Sequence, residues 1–424
     1  MKAAARLRLY GALKGEESQV PAIQESISEP QAASVVESVS DSLMPALKEL
    51  PEFHPIAAGL LGRQIEIPLR QNIVPLPYDA LQFPAAIMGM LDLAGPGLPP
   101  GDVLFLDTET TGLSIGPGTL PFLIGLAWWH EERITIRQLF LSSPGGESAL
   151  VKELDAVFAR FPYLCTFNGK SYDLPLIRNR FTLQRKTMKS FAHHFDLLHI
   201  WRRLLPRDFP GGFKQKNLET AILRSPRPDD IDGASIPEIY FDWIRYGVDH
   251  GLSKIIRHNE LDMQGMIALY AEAAALFEQN RKTEKKKDQT PTLIRIGRIL
   301  FRNHQDLEAL DLLEPLLSQP IPLQEDRRIL YTTLFRIYAR LDRKIEAALC
   351  LERLVQSERS AGVMLLLLRF LEYRLQDFEW ALRVIDEIPQ IPVTGDLLQG
   401  KPLERRRSRI IKKLATRRTG QHHR

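Results

Sequence analysis

The ten residues 120–129, Leu-Pro-Phe-Leu-Ile-Gly-Leu-Ala-Trp-Trp, are almost wholly apolar. They are too few to cross a bilayer, which takes roughly 18 or more, and a turn at 130–132 closes the run, so they read as a strand buried on both faces. Such a largely buried strand must lie within a sheet that packs against other elements. Residues 133–141 alternate Ile134, Ile136 and Leu139 with polar residues and predict a half-exposed antiparallel partner. The stretch 146–160 places Leu150, Leu154, Val157 and Phe158 on one face of an amphipathic helix. Residues 163–167 predict a further strand, and helices dominate from there to 279. Strands first and helices after, with at least one crossover, give an α/β or α+β sandwich.

A short apolar strand, 103–106, opens this domain and runs directly into Asp107 and Glu109. Side chains at i and i+2 of an extended chain share a face, so both carboxylates project together from a strand end whose other contacts are apolar. Two like charges there call for a positive ion between them. Thr108 lies between the acids, and Thr110, Thr111 and Gly112 turn the chain away, placing hydroxyls and open backbone beside them where a ligand could enter. Asp173 follows the 163–167 strand by a short polar loop that holds Asn168 and Lys170. Asp262 lies four residues after His258, on the same face of a predicted helix. Four such carboxylates suit two hard cations, Mg²⁺ or Mn²⁺, which prefer oxygen ligands. Such a pair can activate a water and stabilise the leaving oxygen of a phosphodiester, with His258 as general base near neutrality. Asp196 is either a second acid behind these or a helix N-cap, and Trp128, Trp129 and Phe122 read as core rather than as base-stacking residues.

The order Leu-Asp-Thr-Glu-Thr-Thr-Gly, Phe-Asn-Gly-Lys-Ser-Tyr-Asp-Leu-Pro, His-Asn-x-x-Asp resembles the three motifs of the DEDD exonuclease superfamily on the ribonuclease H-like fold. Gly-Pro-Gly-Thr-Leu-Pro-Phe-Leu-Ile-Gly at 116–125, Phe-Asp-Leu-Leu-His at 195–199 and Ile-Asp-Gly-Ala-Ser-Ile-Pro at 231–237 resemble the YprB branch of ribonuclease H-like proteins. The resemblance covers about 102–279 and implies a mixed sheet with an antiparallel second strand, and metal ligands at Asp107, Glu109, Asp173 and Asp262. Thr108, Thr110, Thr111, Asn168 and Lys170 are the expected substrate contacts. One departure stands out: the familiar DEDD enzymes place a His five residues, or a Tyr four residues, before the last Asp. Here His258 has the histidine's chemistry at the tyrosine's spacing.

The rest of the 424 residues divides by composition. Residues 1–58 lack core-forming material and read as a disordered leader, and 59–101 as an irregular, Pro- and Gly-rich segment packed on the ribonuclease H-like domain at 102–279. After a charged linker at 280–290, residues 291–390 repeat the pattern Glu-Ala-Leu around Ala309, Ala347 and Ala381, near the period of tetratricopeptide helix pairs. This predicts an all-α helical-repeat region able to take a protein partner. Residues 391–424 form a basic tail: ten Lys or Arg against Glu404 after position 400, whereas the preceding 400 residues hold 46 bases and 51 acids. Such a tail is either a phosphate-binding arm or a solvated end. Cys165 and Cys350 are far apart in apolar segments and read as core. No run is long enough for a membrane span and no signal peptide is legible, so the expected location is cytoplasmic.

The expected function is a metal-dependent nuclease, a 3′→5′ exonuclease on DNA or RNA that engages single strands or 3′ ends, the direction coming from the resemblance. The alternatives are a non-catalytic nucleic-acid-binding scaffold, which would gain by losing acids that repel phosphate, and a structure-specific endonuclease.

Overall fold

A computed structural model describes residues 52–72, 101–247 apart from 113, 115 and 117, 250–281, 290–358, 360–387 and 400–421. The leader up to residue 51 and most of the linker therefore lie outside the described residues. The chain divides into two compact units, one holding most residues up to Leu276 and one holding most of the remainder.

In the first unit seven described strands form one sheet: β1 (His54–Ala57), β2 (Leu60–Pro68), β3 (Val103–Thr110), β4 (Pro121–His130), β5 (Arg133–Leu141), β6 (Tyr163–Thr166) and β7 (His193–Asp196). Their order is β1-β2-β5-β4-β3-β6-β7. β4 runs antiparallel to both β3 and β5, whereas β6 lies parallel to β3 and β7 parallel to β6. The sheet is thus mixed, with an antiparallel second strand of the domain as expected.

Two expectations need correction. Residues 54–68 hold a β-hairpin rather than the end of a leader and the start of an irregular segment, because β2 pairs along its whole length with β5. With β2 on its outer edge, β5 is mostly buried instead of half-exposed.

Four residues of β3, Val103 to Leu106, are fully buried, and the two faces of that strand meet different layers. Leu104 and Leu106 join an apolar cluster with α1 (Glu147–Phe158) and with Tyr240 and Trp243, which come from a later helix, Ile236–Tyr246. Tyr240 stacks on Phe122 at 4.0 Å and donates its hydroxyl to the Leu141 carbonyl at 3.1 Å. On the other face Phe105 meets Tyr270 edge-on at 5.3 Å. Tyr270 belongs to a 30-residue helix, Leu252–Arg281, which covers the side of β3 that also bears Asp107. Trp128, Trp129 and Phe122 are all buried, as the apolar run implied.

The second unit is all-helical. Thr290–Arg302 pairs with Asp306–Leu313, Gln324–Arg340 with Lys344–Glu358, and Ala361–Phe370 is followed by Phe378–Glu387. Ala309, Ala347 and Ala381 are each fully buried, so the repeated alanine marks where one helix presses on the next. The basic tail is ordered over most of its length rather than a loose solvated end: Gly400–Gln421 is a helix. Ile410 is fully buried in the same core, with Leu403 and Leu414 packed against it, and positions 403, 410 and 414 share one helical face. Glu372, its side chain fully buried, accepts Arg409 at 2.8 Å and 2.9 Å and Lys413 at 2.9 Å. Part of the tail's charge is therefore spent inside the fold.

Candidate active site

Alternation along β3 leaves Asp107 and Glu109 half-buried on one face while Thr108 and Thr110 turn into the other. β4 makes room for the first acid. Gly125 lies opposite Asp107 in the β3–β4 register, and a Cβ there would stand 2.4 Å from Asn259 Oδ1. The missing side chain lets Asn259 reach across and donate to Asp107 Oδ2 at 2.9 Å. Asn259 is held in turn by Gln138, whose Nε2 donates to Asn259 Oδ1 at 3.0 Å and to the Ile256 carbonyl at 2.8 Å. A buried relay from β5 through the long helix thus fixes one carboxylate.

Asp173 opens the helix Asp173–Leu183 and is 5% exposed. Its Oδ1 accepts the Thr108 hydroxyl at 2.5 Å. The loop before it is tied down by Asp196, which accepts the backbone N–H of Asn168 at 2.8 Å, of Lys170 at 3.1 Å and of Leu198 at 3.1 Å. Both readings of Asp196 are therefore correct at once: it caps a helix start and fixes the loop that carries Asp173. Asn168 sits at φ +64°, and a Cβ on Gly169 would press into Thr166, so the turn is tight. The side chains of Asn168 and Lys170 remain exposed beside it.

The hydroxyls of the three threonines are already engaged. Thr108 is spent on Asp173. Thr110 donates to the Gly112 carbonyl at 2.7 Å and lies 3.0 Å from the Tyr172 hydroxyl. Thr111 accepts the Leu120 N–H at 2.9 Å. Thr108 and Thr110 are both buried on the far face of β3, where their hydroxyls order the acids and the turn.

His258 stands among the remaining acids. Its Nε2 lies 3.2 Å from Asp262 Oδ2 and 3.6 Å from Glu109 Oε1. One ligand atom from each of Glu109, His258 and Asp262 falls within 4.8 Å of the others, a grouping that can hold a metal ion. The other ring nitrogen, Nδ1, lies 2.7 Å from Asp230 Oδ1. Asp230 Oδ2 takes Lys216 Nζ at 2.7 Å, so Lys216 is spent on an acid rather than open to phosphate. Arg227, three residues before Asp230, donates to Asp262 Oδ1 at 2.5 Å, to Glu219 Oε1 at 2.6 Å and to the Leu261 carbonyl at 2.8 Å. Gly265 gives this pair its space, since a Cβ there would run into Glu219 and Arg227. Asn259, Asp230, Arg227 and Glu219 escaped the sequence reading. Of the four, Asn259 had a signal, being part of the His-Asn-x-x-Asp motif.

The electrostatics are those of crowded acids. Burial, followed by the charges of Asp262 and Asp173, pushes the Asp107 carboxyl well above its ordinary value. Burial, followed by Asp107, Asp262 and Asp173, does the same to Glu109. Burial raises Asp173 to about 6, even though Thr108 pulls the other way. Asp230 is also pushed up by its burial, but the bonds from Lys216 and His258 outweigh that and hold it below the usual range. The site therefore has three carboxylates short of positive charge and one already neutralised. Apart from the His258 nitrogen, the donors here are hard carboxylate oxygens, which suit divalent cations.

A family model described as RNase_H superfamily matches residues 104–274, the span that holds every residue of the site. The chain is also similar to the uncharacterised protein YprB of Bacillus subtilis (strain 168), at 28% identity over 345 residues, covering 77% of this chain and 79% of that protein. Among the described residues no helix is long and apolar enough to cross a membrane.

Proposed function

From the premise that residues 104–274 form a domain of the ribonuclease H superfamily, which supports a nuclease-type function, we propose that this chain is a divalent-metal-dependent 3′→5′ exonuclease acting on DNA or RNA in the cytoplasm. The observation that carries this reading is the crowding of buried acids: Asp107, Glu109 and Asp173 are raised by burial and by neighbouring carboxylates, and Glu109 and Asp262 converge on His258 in a grouping that can hold a metal ion. Asp107, Glu109, Asp173 and Asp262 would hold two Mg²⁺ or Mn²⁺ ions, which when bound supply the charge that activates water and stabilises the leaving oxygen.

The chain's own residues do the rest. Asn259 holds the Asp107 carboxylate and Thr108 that of Asp173. His258 takes the proton of the attacking water on Nε2. Asp230 on Nδ1 supports the imidazolium that results, a division of labour usual for catalytic histidines. Arg227 occupies one oxygen of Asp262 and leaves Oδ2, the oxygen nearer His258, free to act. Exposed Asn168 and Lys170 contact the substrate, and the helical region takes the protein partner.

The test is purified protein with Mn²⁺ or Mg²⁺ on end-labelled linear and on circular single-stranded DNA and RNA. Mononucleotide release from 3′ ends, sparing circles and abolished in Asp107→Ala and Asp173→Ala, is expected. Equal cleavage of circles would replace exonuclease by endonuclease. Binding without cleavage under any metal would leave a scaffold.

A further inference from the structure

Beside the acid cluster a cleft of about 450 Å³ opens between the loop 225–231 and the helix Leu252–Arg281. Three of its wall residues, Arg227, Asp230 and His258, also belong to the site above, so the cleft and the acids share a boundary. Its volume lies in the range of pockets that hold small ligands. The walls are mostly apolar, with Pro226, Pro228, Ile231 and Leu261 lining it. Lys254 and Arg257 supply positive charge at its rim, against Asp229 alone as an uncommitted acid, since Asp230 is engaged by Lys216 and His258. Arg257 is shared with Glu260, whereas exposed Lys254 has no ion pair among the described residues.

The helix sets the direction. Lys254, His258 and Asp262 are spaced four apart and lie along one stripe, about 12 Å of helix rise from end to end. An extended strand whose phosphate sits at the acids and which follows this stripe reaches Lys254 after a small number of nucleotides. There its backbone meets the ammonium, and its base meets the proline-rich wall. Apolar walls with a cationic rim fit a nucleotide, whose flat base and charged phosphate need both.

Resting on the nuclease reading, we infer that this cleft is a nucleotide subsite for a single strand, with Lys254 holding the phosphate two positions from the one at the acid cluster. The subsite would make affinity depend on strand length and set a minimum length for tight binding.

The test uses the full chain and 5′-labelled thymidine oligomers of two, four and twelve nucleotides. Binding is followed by fluorescence anisotropy in an Asp107→Asn background with Mn²⁺, and cleavage is followed separately with Asp107 intact. Lys254→Glu should weaken the four- and twelve-nucleotide strands by roughly 5- to 10-fold and the dinucleotide by less than twofold. It should also flatten the log-log salt slope by about 0.7. Ser253→Trp, which fills the cleft without changing charge, should show the same length dependence with the slope unchanged. Equal losses at all three lengths, or none, would overturn the subsite. Length-dependent binding in a protein that cuts no nucleic acid would keep the subsite and sink the nuclease reading instead.

Discussion

Replacing Asp173 by Asn should stabilise the metal-free protein, and the size of the gain can be worked from its surroundings. The carboxyl is 5% exposed, and burial moves it from 3.8 to about 6. A folded-state acid with a raised pKa binds its proton more tightly than the unfolded chain does. Its ionised form therefore costs stability, the cost growing as pH rises from about 4 to about 6 and constant above that. A shift of this size, at about 1.4 kcal/mol per unit, makes the cost about 3 kcal/mol near pH 8. Asparagine keeps an Oδ1 for the Thr108 hydroxyl and carries no charge, so most of the cost should vanish.

The assay is urea unfolding of both proteins in EDTA at intervals from pH 4 to pH 8. The variant should equal wild type near pH 4 and exceed it by roughly 2–3 kcal/mol at pH 8. Mn²⁺ should then close the gap at one hundred times Kd, where binding to the folded state adds about 2.7 kcal/mol, and invert the order at one thousand times Kd, where it adds about 4.1 kcal/mol, because the variant has lost a ligand. A variant less stable than wild type at pH 8 in EDTA, or a difference that ignores pH, would refute the picture of acids short of a cation.

Three further substitutions follow, two at side chains that set the site and one at the anchor of the C-terminal helix. Gly125→Val should push Asn259 off Asp107 and cost about 1–3 kcal/mol, with cleavage lost more than the fold; an unaltered melt and unaltered kcat would count against the relay. Arg227→Met strands Glu219, which is fully buried, beside Asp262, and should lower stability by about 3 kcal/mol in a thermal or urea melt. Glu372→Ala should loosen the helix Gly400–Gln421 by about 1–2 kcal/mol, read as faster tryptic cleavage within 401–418 while the first unit stays protected; unchanged digestion would mean that apolar packing through Leu403, Ile410 and Leu414 holds the helix.

What the sequence disclosed and what it withheld follow from how far each contact reaches along the chain. Asp107 and Glu109 were legible because two residues of extended backbone force their side chains onto one face, and no tertiary detail can undo that. His258 and Asp262 were legible for the matching reason on a helix. β2 was missed because its apolar residues are interrupted by Arg63, Gln64 and Glu66, and because its partner β5 lies some seventy residues downstream. The buried end of Arg63 explains the interruption: it meets Gln138 at 3.0 Å and Glu260 at 3.1 Å, so a charge that looked like solvent-facing polarity is internal. The tail erred in the same direction, since its cations drew notice while Leu403, Ile410 and Leu414 carried the packing. Arg227 and Asp230 lie on a loop with no period, and their importance rests entirely on Asp262, His258 and Glu219 arriving from other elements. A carboxylate's need for a cation can thus be read locally, but which groups turn it, and which of its oxygens they leave free, is written only in the packing.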